Sequence, residues 1–388
     1  MDISKLRHVG VMGDGVTATA VRVALPRLGC QEVSLSEAEV IVISPGIPMT
    51  DAYAVPVISE VEFAFLWMKT QGTRPELIAV TGTNGKSTVV SLLGHILDCP
   101  VAGNIGDPLI NFVASDRVCD RLVVELSSFQ LEGCSLFRPE VAVLLPITPD
   151  HLSRHGTFSN YQAQKAKIFQ QQGPEDVVVY DESRPELVSL LATGCQAQKI
   201  SYFSDEMRLP AQMLGEFNRS NINAAFSVCR YLGVSETVFE ERVSHFSPLP
   251  HRLEYVTELQ GRRVYNDSKA TNIDATRQAV LAMTWPTHLI LCGEAKGEDY
   301  VPLLQEIRPQ LSSLVVFGAI SMAVKQACDD IGVSVEVVSD ITMALSFSLN
   351  QSQSGDVILF SASGASFDQF DGYAHRGECF KSVVMGAA

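Results

Sequence analysis

Several features that would place the protein in a membrane, on nucleic acid or outside the cell are missing from the sequence. No apolar run approaches the roughly 18–20 residues that span a bilayer, and the N-terminus, MDISKLRHVGVMG, has no signal-peptide pattern. Basic side chains are scarce: 29 Lys and Arg stand against 44 Asp and Glu, and the net charge of −15 disfavours nucleic acid. The 9 cysteines are odd in number and are never spaced C-x-x-C, which suits free thiols in a reducing compartment. We therefore expect a cytoplasmic protein without membrane insertion and without a nucleic-acid partner.

The sequence does contain a sustained alternation of apolar strands and helical patterns over 388 residues, of which 46% are hydrophobic. This alternation predicts an α/β fold with mostly parallel sheets. Turn-rich segments at 71–75 (QGTRP) and 247–250 (SPLP) indicate two boundaries. We predict a small Rossmann-like N-terminal domain at 1–71, a central P-loop ATPase-type domain at 72–248 and a C-terminal Rossmann-like domain at 249–388.

The stretch from Leu77 to Leu97 carries the strongest chemical signal. Leu77–Val80 is typical of a buried strand, and apolar residues recur at helical spacing after Ser87. A glycine-rich turn between a strand and a helix N-terminus presents backbone N–H groups to an anion, and a lysine and hydroxyls there suit phosphate and Mg²⁺. The general P-loop pattern wants glycine where Val80 stands, so an ordinary turn with a surface lysine is the alternative. The predicted ATP-binding residues of this loop are Gly82, Thr83, Asn84, Gly85, Lys86, Ser87 and Thr88.

Polar residues follow the ends of two further strands in the central region. Glu125 ends the apolar run that begins at Leu122, and His151 comes shortly after the strand at 141–145. Ligands of open α/β sheets bind at the carboxyl ends of strands, so both side chains are candidates for contact with a metal. The alternatives are an exposed strand-end glutamate and a structural histidine. For Lys165, on the amphipathic helix that follows, the sequence by itself favours a solvated surface lysine.

Turns that contain glycine or serine follow the strands of the first and last domains. In the last domain they are 292–297 (CGEAKG) and 361–370 (SASGASFDQF), whose lysine and hydroxyls suit a small substrate that carries a carboxylate. A lone G-x-G is weak evidence, so a purely structural α/β unit is the alternative for the first domain. The residues of its two turns are Gly13, Asp14, Gly15, Val16 and Thr17, then Ser44, Pro45 and Gly46.

A set of sequence strings that covers nearly the whole chain resembles the Mur ligases. The strings are TGTNGKST, GNIG, ELSSFQLE, TPDHLSRHG, YQAQKAKIF, EFNRSNINAA, LPHRLE, NDSKATN and SFDQF. TGTNGKST also resembles the loop of folylpolyglutamate synthetases, whereas NDSKATN with SFDQF resembles the Mur ligases that add D-glutamate. The resemblance implies ATP-dependent ligation of D-glutamate to UDP-N-acetylmuramoyl-L-alanine through an acyl phosphate, a cytoplasmic step of peptidoglycan synthesis.

The resemblance also implies roles for individual residues. One Mg²⁺ ion would be held by Glu125 with Ser87 or Thr88, and a second by His151 and by Lys165, which the resemblance implies is carbamylated. Lys86, His151, Lys165 and Asn104 would serve the reaction itself, Asn104 on the substrate side; whether His151 or a water takes the proton of the amine stays open. The remaining implied contacts are Asn218, Asn221, Arg252 and Asp267 for the nucleotide, and Thr271, Lys296, Ser366, Phe367 and Tyr373 for D-glutamate.

The N-terminal domain departs from the family pattern because it is short. Little room lies between Leu28 and Val40 for the usual second strand and its uridine contacts, although the turns at 13–17 and 44–46 remain to hold the UDP diphosphate. We expect a monomer. Two alternatives stay open: a folylpolyglutamate-type ligase, and a nucleotide-binding regulator without ligase activity, against which Lys296 and the Ser366 turn argue.

Overall fold

A computed structural model describes residues 3–70, 74–115, 117–202, 207–210, 213–294, 297 and 299–387. Lys296, a predicted substrate contact, lies outside these residues. The chain forms three sheets with helices between the strands, which confirms the predicted α/β class. It divides into two compact units, one of residues 1–208 and 220–246 and one of residues 209–219 and 247–388. The first two sheets therefore share one unit, and the domain limits drawn from the sequence stay a prediction.

The first sheet has four parallel strands in the order β2-β1-β3-β4. Its most telling feature is the edge strand β2, which is only two residues long and occupies the stretch where the sequence left little room for a strand. The elements are β1 His8–Met12, α1 Val16–Ala24, β2 Gln31–Glu32, β3 Val40–Ile43, β4 Val57–Ser59 and α2 Glu60–Met68.

The second sheet has six parallel strands in the order β10-β9-β8-β5-β7-β6, so β5 lies near its centre between β8 and β7. Helices cover both faces of such a sheet, which explains why its strands appear in the sequence as unbroken apolar runs. The strands are β5 Glu76–Thr81, β6 Val101–Gly103, β7 Arg121–Glu125, β8 Val141–Leu144, β9 Val177–Asp181 and β10 Gln198–Tyr202. The helices are α3 Lys86–Leu97, α4 Leu109–Val113, α5 Ser128–Glu132, α6 Leu152–His155, α7 Phe158–Ala166, α8 Pro185–Ala192, α9 Glu216–Tyr231 and α10 Glu236–Ser244.

The third sheet also has six strands, in the order β11-β12-β16-β13-β14-β15, with only β11 antiparallel to its neighbour. The strands are β11 Glu254–Leu259, β12 Arg262–Asp267, β13 Thr287–Cys292, β14 Leu311–Phe317, β15 Glu336–Val337 and β16 Val357–Ser363. The helices are α11 Ile273–Leu281, α12 Tyr300–Ile307, α13 Ser321–Ile331, α14 Ile341–Gln351 and α15 Tyr373–Gly386.

One apolar core joins the first two sheets. Helix α2 is buried almost along its whole length and packs against α4 and α5 of the central region, with Phe65 against Phe137. Two further clusters cover the two faces of the third sheet. Within the described ranges, no helix combines the length and the apolarity that crossing a bilayer would require.

Candidate active site

The turn after β5 is a phosphate-binding loop in its geometry. Gly85, with φ 84°, directly precedes the 12-residue helix α3, so the loop leads into a helix N-terminus. At Gly82, which has φ 153°, a Cβ would lie 2.5 Å from Leu145 Cβ, so the loop needs glycine there. Thr83 ties the loop to the exit of β8, because its Oγ1 accepts the Thr148 N–H at 2.9 Å and donates to the Thr148 carbonyl at 3.0 Å.

Lys86 lies back over this loop. Its half-buried ammonium donates to the carbonyls of Gly82 at 3.0 Å and Thr83 at 2.8 Å. Asn221, on α9, borders the same loop, since a Cβ on Gly85 would collide with its side-chain oxygen. Ser87 and Thr88 are buried in the first turn of α3. The loop therefore joins a cation, two hydroxyls and an amide at one helix N-terminus.

Glu125 provides a buried carboxylate at the carboxyl end of β7, beside β5. Asn104 donates its side-chain amide to Glu125 Oε1 at 2.8 Å, and its backbone N–H binds the Glu125 carbonyl at 2.9 Å. Among the described residues, no hydrogen-bond partner reaches the other carboxylate oxygen, Oε2, which is buried. A buried orphan oxygen of this kind is costly unless a donor or cation joins it, so the site suits a Mg²⁺ ligand.

His151 directly precedes α6, in the segment that follows β8. It has a left-handed backbone, with φ 54°, a conformation that non-glycine residues adopt mainly at constrained sites. Asp150 holds it by accepting the His151 N–H at 2.8 Å and by lying 3.6 Å from the ring Nε2. The Phe129 ring packs on the imidazole with centroids 4.7 Å apart, and the imidazole stays partly exposed.

Lys165 is not a solvated surface lysine. Only 1% of the residue is exposed, and its ammonium donates to the Gly82 carbonyl at 2.7 Å and lies 4.6 Å from the centre of the Tyr161 ring. Burial, with the charge of Lys86 as a second cause, lowers the pKa of Lys165 well below its usual value. Helix α7 thus brings an amine, favoured in its neutral form, to the phosphate loop.

The metal-binding potential of this region rests on few protein ligands. No group of three or more His, Cys, Asp or Glu side chains is arranged to hold a metal ion within the part of the chain that the structure describes. Mg²⁺ commonly takes one or two carboxylates together with water and substrate phosphates. Glu125, the α3 hydroxyls and a phosphate on the loop fit that pattern.

The turns after β1 and β3 lie side by side at the carboxyl edge of the first sheet. Ser44 donates its backbone N–H to the Met12 carbonyl at 2.9 Å, and its Oγ would lie 2.5 Å from a Cβ on Gly13. Asp14 and Gly15 are exposed, as is Val16 at the start of α1. The two candidate substrate turns, 13–17 and 44–46, are therefore brought together.

Arg154, to which the sequence analysis gave no role, joins the second of these turns to the central region. Its guanidinium donates to the Ile47 carbonyl at 2.8 Å and to Glu132 at 2.7 Å, and it lies over the Phe129 ring at 5.2 Å. Since Phe129 also packs on His151, one chain of contacts links the 44–47 turn to the candidate metal ligand.

In the third sheet, the predicted residues cluster at the carboxyl ends of β12 and β16. Asp267 accepts the Leu253 N–H at 3.0 Å and the Ser361 hydroxyl at 2.8 Å, and burial raises its pKa to about 7. Ser366 is buried, whereas Phe367 is 74% exposed. Lys269 lies 3.7 Å from the centre of the Tyr373 ring.

The other predicted residues of this unit are placed as follows. Thr271 is half-buried beside Asn272, the N-cap of α11. Arg252 is half-buried, and its charge acts on Asp267. Asn218 donates its side-chain amide to the Leu214 carbonyl at 2.9 Å.

The most deeply buried cation of this unit, Arg376, was missed in the sequence. Its guanidinium donates to the carbonyls of Ser268 at 2.7 Å and Gly364 at 3.0 Å. Only the RG pair inside helix α15 marks it in the sequence, and no local pattern distinguishes it from a solvated helix arginine.

The candidate site combines a phosphate loop, a buried carboxylate and a buried amine on an α/β scaffold. These features are those of the class of ATP-dependent ligases. Residues 80–202 match the family described as "Mur ligase middle domain" and residues 251–364 match "Mur ligase, glutamate ligase domain". The chain belongs to the Mur ligase family, as its sequence strings predicted.

Two curated relatives that match most of the chain carry the same name. A protein of Pelotomaculum thermopropionicum called UDP-N-acetylmuramoylalanine–D-glutamate ligase is 34% identical, over 95% of this chain and 88% of its own. One of the same name from Koribacter versatilis is 36% identical, over 92% and 85%. Among solved structures, the MurF ligase of Thermotoga maritima in complex with ADP has TM-score 0.66 at 17% identity over the full length of both chains. The folylpolyglutamate synthase of Mycobacterium tuberculosis has the same TM-score at 14% identity, over 84% of this chain and 95% of that one. These structures support the fold alone.

Proposed function

We propose that the protein joins D-glutamate to UDP-N-acetylmuramoyl-L-alanine at the expense of ATP, through an acyl phosphate. The observation that carries this proposal is the convergence on one carbonyl, that of Gly82, of the loop lysine Lys86 and the buried lysine Lys165. The names of the relatives supply the substrates. We further propose that the protein acts as a cytoplasmic monomer.

The first chemical step transfers the γ-phosphoryl group of ATP to the substrate carboxylate. A carboxylate oxygen attacks the γ-phosphorus, the bond to the β-phosphate oxygen breaks, and ADP leaves. Such transfers depend mainly on positioning and on neutralising charge. Lys86 and the amides of 82–88 hold the phosphates, and Asn104 sits next to Glu125 on the side where the acceptor would enter.

The second step forms the amide. The neutral amine of D-glutamate attacks the acyl carbonyl, and inorganic phosphate leaves from the tetrahedral intermediate. A base must take one proton from the amine; His151, partly exposed and held by Asp150, is one candidate, and a water is the other. We propose that D-glutamate is selected over L-glutamate by Thr271, Lys296, Ser366 and Phe367, with Tyr373 in the pocket wall.

Two Mg²⁺ ions would be held by the residues of the loop edge. Glu125 with Ser87 or Thr88 would hold one, and His151 and modified Lys165 the other. When bound, the ions neutralise the charge that develops on the transferring phosphoryl group. The orphan Oε2 of Glu125 supports the first of these assignments.

Lys165 is proposed to be carbamylated. Its amine and that of Lys86 both donate to Gly82, at 2.7 and 3.0 Å, so two ammonium groups would repel each other at close range. A neutral amine attacks CO₂, the new N–C bond forms, and one proton is released to solvent. The carbamate is an anion with two oxygens, which attracts Lys86 and suits a hard cation.

The nucleotide would extend beyond the loop to Asn218, Asn221, Arg252 and Asp267. The UDP portion of the acceptor would use the turns at 13–17 and 44–46. With a two-residue β2, the short first domain offers few residues for the uracil ring, so we propose recognition chiefly through the diphosphate.

Phosphate release from ATP tests the function. It should require both UDP-N-acetylmuramoyl-L-alanine and D-glutamate, and L-glutamate should not replace the D isomer. Turnover only with a folate and glutamate would establish the folylpolyglutamate-type alternative. If neither acceptor supports phosphate release, the nucleotide-binding regulator is favoured.

Isotopically labelled bicarbonate tests the modification. A labelled carbamate signal should appear in wild-type protein and be absent from Lys165→Ala, with Lys167→Ala as the matched control that retains it. Lys165→Ala should be nearly inactive and should regain turnover with acetate. An unlabelled wild type, or full activity of Lys165→Ala without acetate, would refute the modification without touching the ligase assignment.

A further inference from the structure

Arg376 is the largest side chain that the second unit buries completely among its described residues. It lies on α15 with 0% exposure, although arginine is rarely fully buried unless its donors are satisfied. The guanidinium donates through Nε to Ser268 Oγ at 3.0 Å and through Nη2 to the Ser268 carbonyl at 2.7 Å. Through Nη1 it donates to the carbonyls of Gly364 at 3.0 Å and Ala365 at 3.3 Å.

These contacts reach three different turns. Ser268 follows β12, and Gly364 and Ala365 follow β16, its neighbour in the sheet. Gly293 follows β13, on the other side of β16, and a Cβ there would lie 2.8 Å from Arg376 Nη1. One guanidinium therefore meets the chain where each of three adjacent strands ends.

Two of these turns lead into residues of the proposed amino-acid pocket. Ser268 precedes Thr271 by three positions, and Ala365 is the immediate neighbour of Ser366. A shift of either turn would move a proposed contact with the substrate. Displacements of about 1 Å at such positions are enough to lower catalysis a hundredfold.

The charge of Arg376 is also unusual. Among the described residues, no carboxylate forms a direct ion pair with it, although its charge acts on Asp267; its hydrogen-bond partners are carbonyls, a hydroxyl and the Cys292 thiol. A buried cation without a direct ion pair is costly to desolvate, and hydrophobic packing would often be at least as stable. Its planar fork can bind several acceptors at fixed angles, which lysine cannot do. Both points favour a role in shaping a site that receives an anion.

We propose that Arg376 is the positioning residue of the amino-acid pocket, holding the turns after β12, β13 and β16 in the arrangement that receives the carboxylates of the incoming amino acid. This proposal rests on the proposed function and states how the amino-acid pocket at the third sheet is built. Arg376 itself touches no reacting atom; it acts through Ser268, Gly293 and the Gly364–Ala365 pair.

The test compares Arg376→Met, Arg376→Lys and a matched control, Arg262→Met, in the full chain. Arg262 lies in the same compact unit as Arg376, at the opposite end of β12 from Ser268. Its guanidinium donates to the hydroxyl and the carbonyl of Ser352, which are the same kinds of acceptor that Arg376 uses at Ser268. Steady-state KM values for D-glutamate and for ATP, kcat, and the thermal midpoint are measured for each.

For Arg376→Met, the KM for D-glutamate should rise about tenfold or more while the KM for ATP stays within about twofold. Arg376→Lys should recover part of this loss because it keeps the charge without the fork. Arg262→Met should leave both KM values unchanged even if its midpoint falls. Equal rises for D-glutamate and ATP, or no rise in a folded Arg376→Met, would overturn the proposal.

Two arrangements keep the test decisive. If Arg376→Met does not fold, Ser268→Ala, which removes one acceptor, and Arg376→Lys take its place; unchanged D-glutamate KM values in both would overturn the proposal. Wild-type protein that fails to ligate D-glutamate at all would refute the proposed function instead. In that event, the same variants are compared with whichever amino acid the wild type accepts, and an unaltered KM for it refutes the role of Arg376.

Discussion

Glu60 should make the first unit less stable as the pH rises from 5 to 8. The residue lies on α2 with 1% exposure, and Oε1 accepts the Ile110 N–H at 2.6 Å. Oε2 is buried and has no hydrogen-bond partner within the described part of the chain. Burial raises the pKa of Glu60 from 4.5 to about 7, against the opposing hydrogen bond from Ile110. The folded state therefore holds a proton that the unfolded state releases.

The sign and size of the effect follow from linkage. Because the folded-state pKa is above the unfolded one, the stability contribution is complete below pH 4.5 and is lost as the pH rises through about 7. Between pH 5 and pH 8 this single group should lower the free energy of unfolding by about 2–3 kcal/mol, given the two pKa values. Glu60→Gln keeps an oxygen that can accept the Ile110 N–H, but it cannot ionise. The free energy of unfolding of this variant should therefore fall by about 2–3 kcal/mol less than that of the wild type between pH 5 and pH 8.

The assay uses the position of the tryptophans. The chain has 2, and Trp67 lies on the same helix as Glu60, so in a Trp285→Phe background the fluorescence of Trp67 reports unfolding of this region. Urea midpoints at pH 5 and pH 8 are compared for three proteins in this background: the one that keeps Glu60, the Glu60→Gln variant, and the control Glu182→Gln, which alters an exposed carboxylate. If the urea midpoint depends on pH in the same way with Glu60 and with Glu60→Gln, the reasoning is refuted, because desolvation of the Glu60 carboxylate would then not control stability.

Further substitutions test the candidate active site. Lys86→Ala should lower kcat by at least about a hundredfold with an unchanged thermal midpoint, and near-normal turnover would remove the loop lysine from the mechanism. Glu125→Gln keeps the shape of the side chain but removes its charge, so half-maximal activity should need about tenfold more Mg²⁺; an unaltered Mg²⁺ titration would contradict the metal assignment. Arg154→Met should raise the KM for the UDP substrate and leave the KM for D-glutamate unchanged. The reverse pattern would contradict a role for Arg154 and the 44–47 turn in binding the UDP substrate. Lys296→Ala should raise the KM for D-glutamate far more than that for ATP, and equal rises would place Lys296 elsewhere.

The strand–turn–helix units were predictable from the sequence because their signals are local. Leu77–Val80 is apolar on both faces, and the residues after Gly85 recur with helical spacing, so β5, its loop and α3 follow from chain pattern alone. The edge strand β2 was not foreseen, since its two residues, Gln31 and Glu32, are exposed and polar. Its pairing with β1 depends on a neighbour and not on its own composition.

The burial of Lys165 could not be read from its helix. α7 is weakly amphipathic, with Lys165 in its last turn and Lys167 as its C-cap, so the local sequence does not distinguish the two lysines. The fold separates them: Lys167 is half-buried and donates to the Glu132 carbonyl, while Lys165 is buried against the phosphate loop. Only the resemblance to Mur ligases distinguished them before the structure.

Basic side chains are concentrated at both parts of the candidate site. Lys165 and Lys86 share one carbonyl, and among the described residues Arg376 donates hydrogen bonds to neutral groups, although its charge also acts on Asp267. Removing basic groups from water costs desolvation energy, and hydrophobic replacements would often cost less. The chain has a net charge of −15, so these cations are a local feature and not a reflection of composition. Phosphates at the loop and carboxylates at the third sheet would add negative charge beside these basic groups, at the places where the proposed reaction delivers anions.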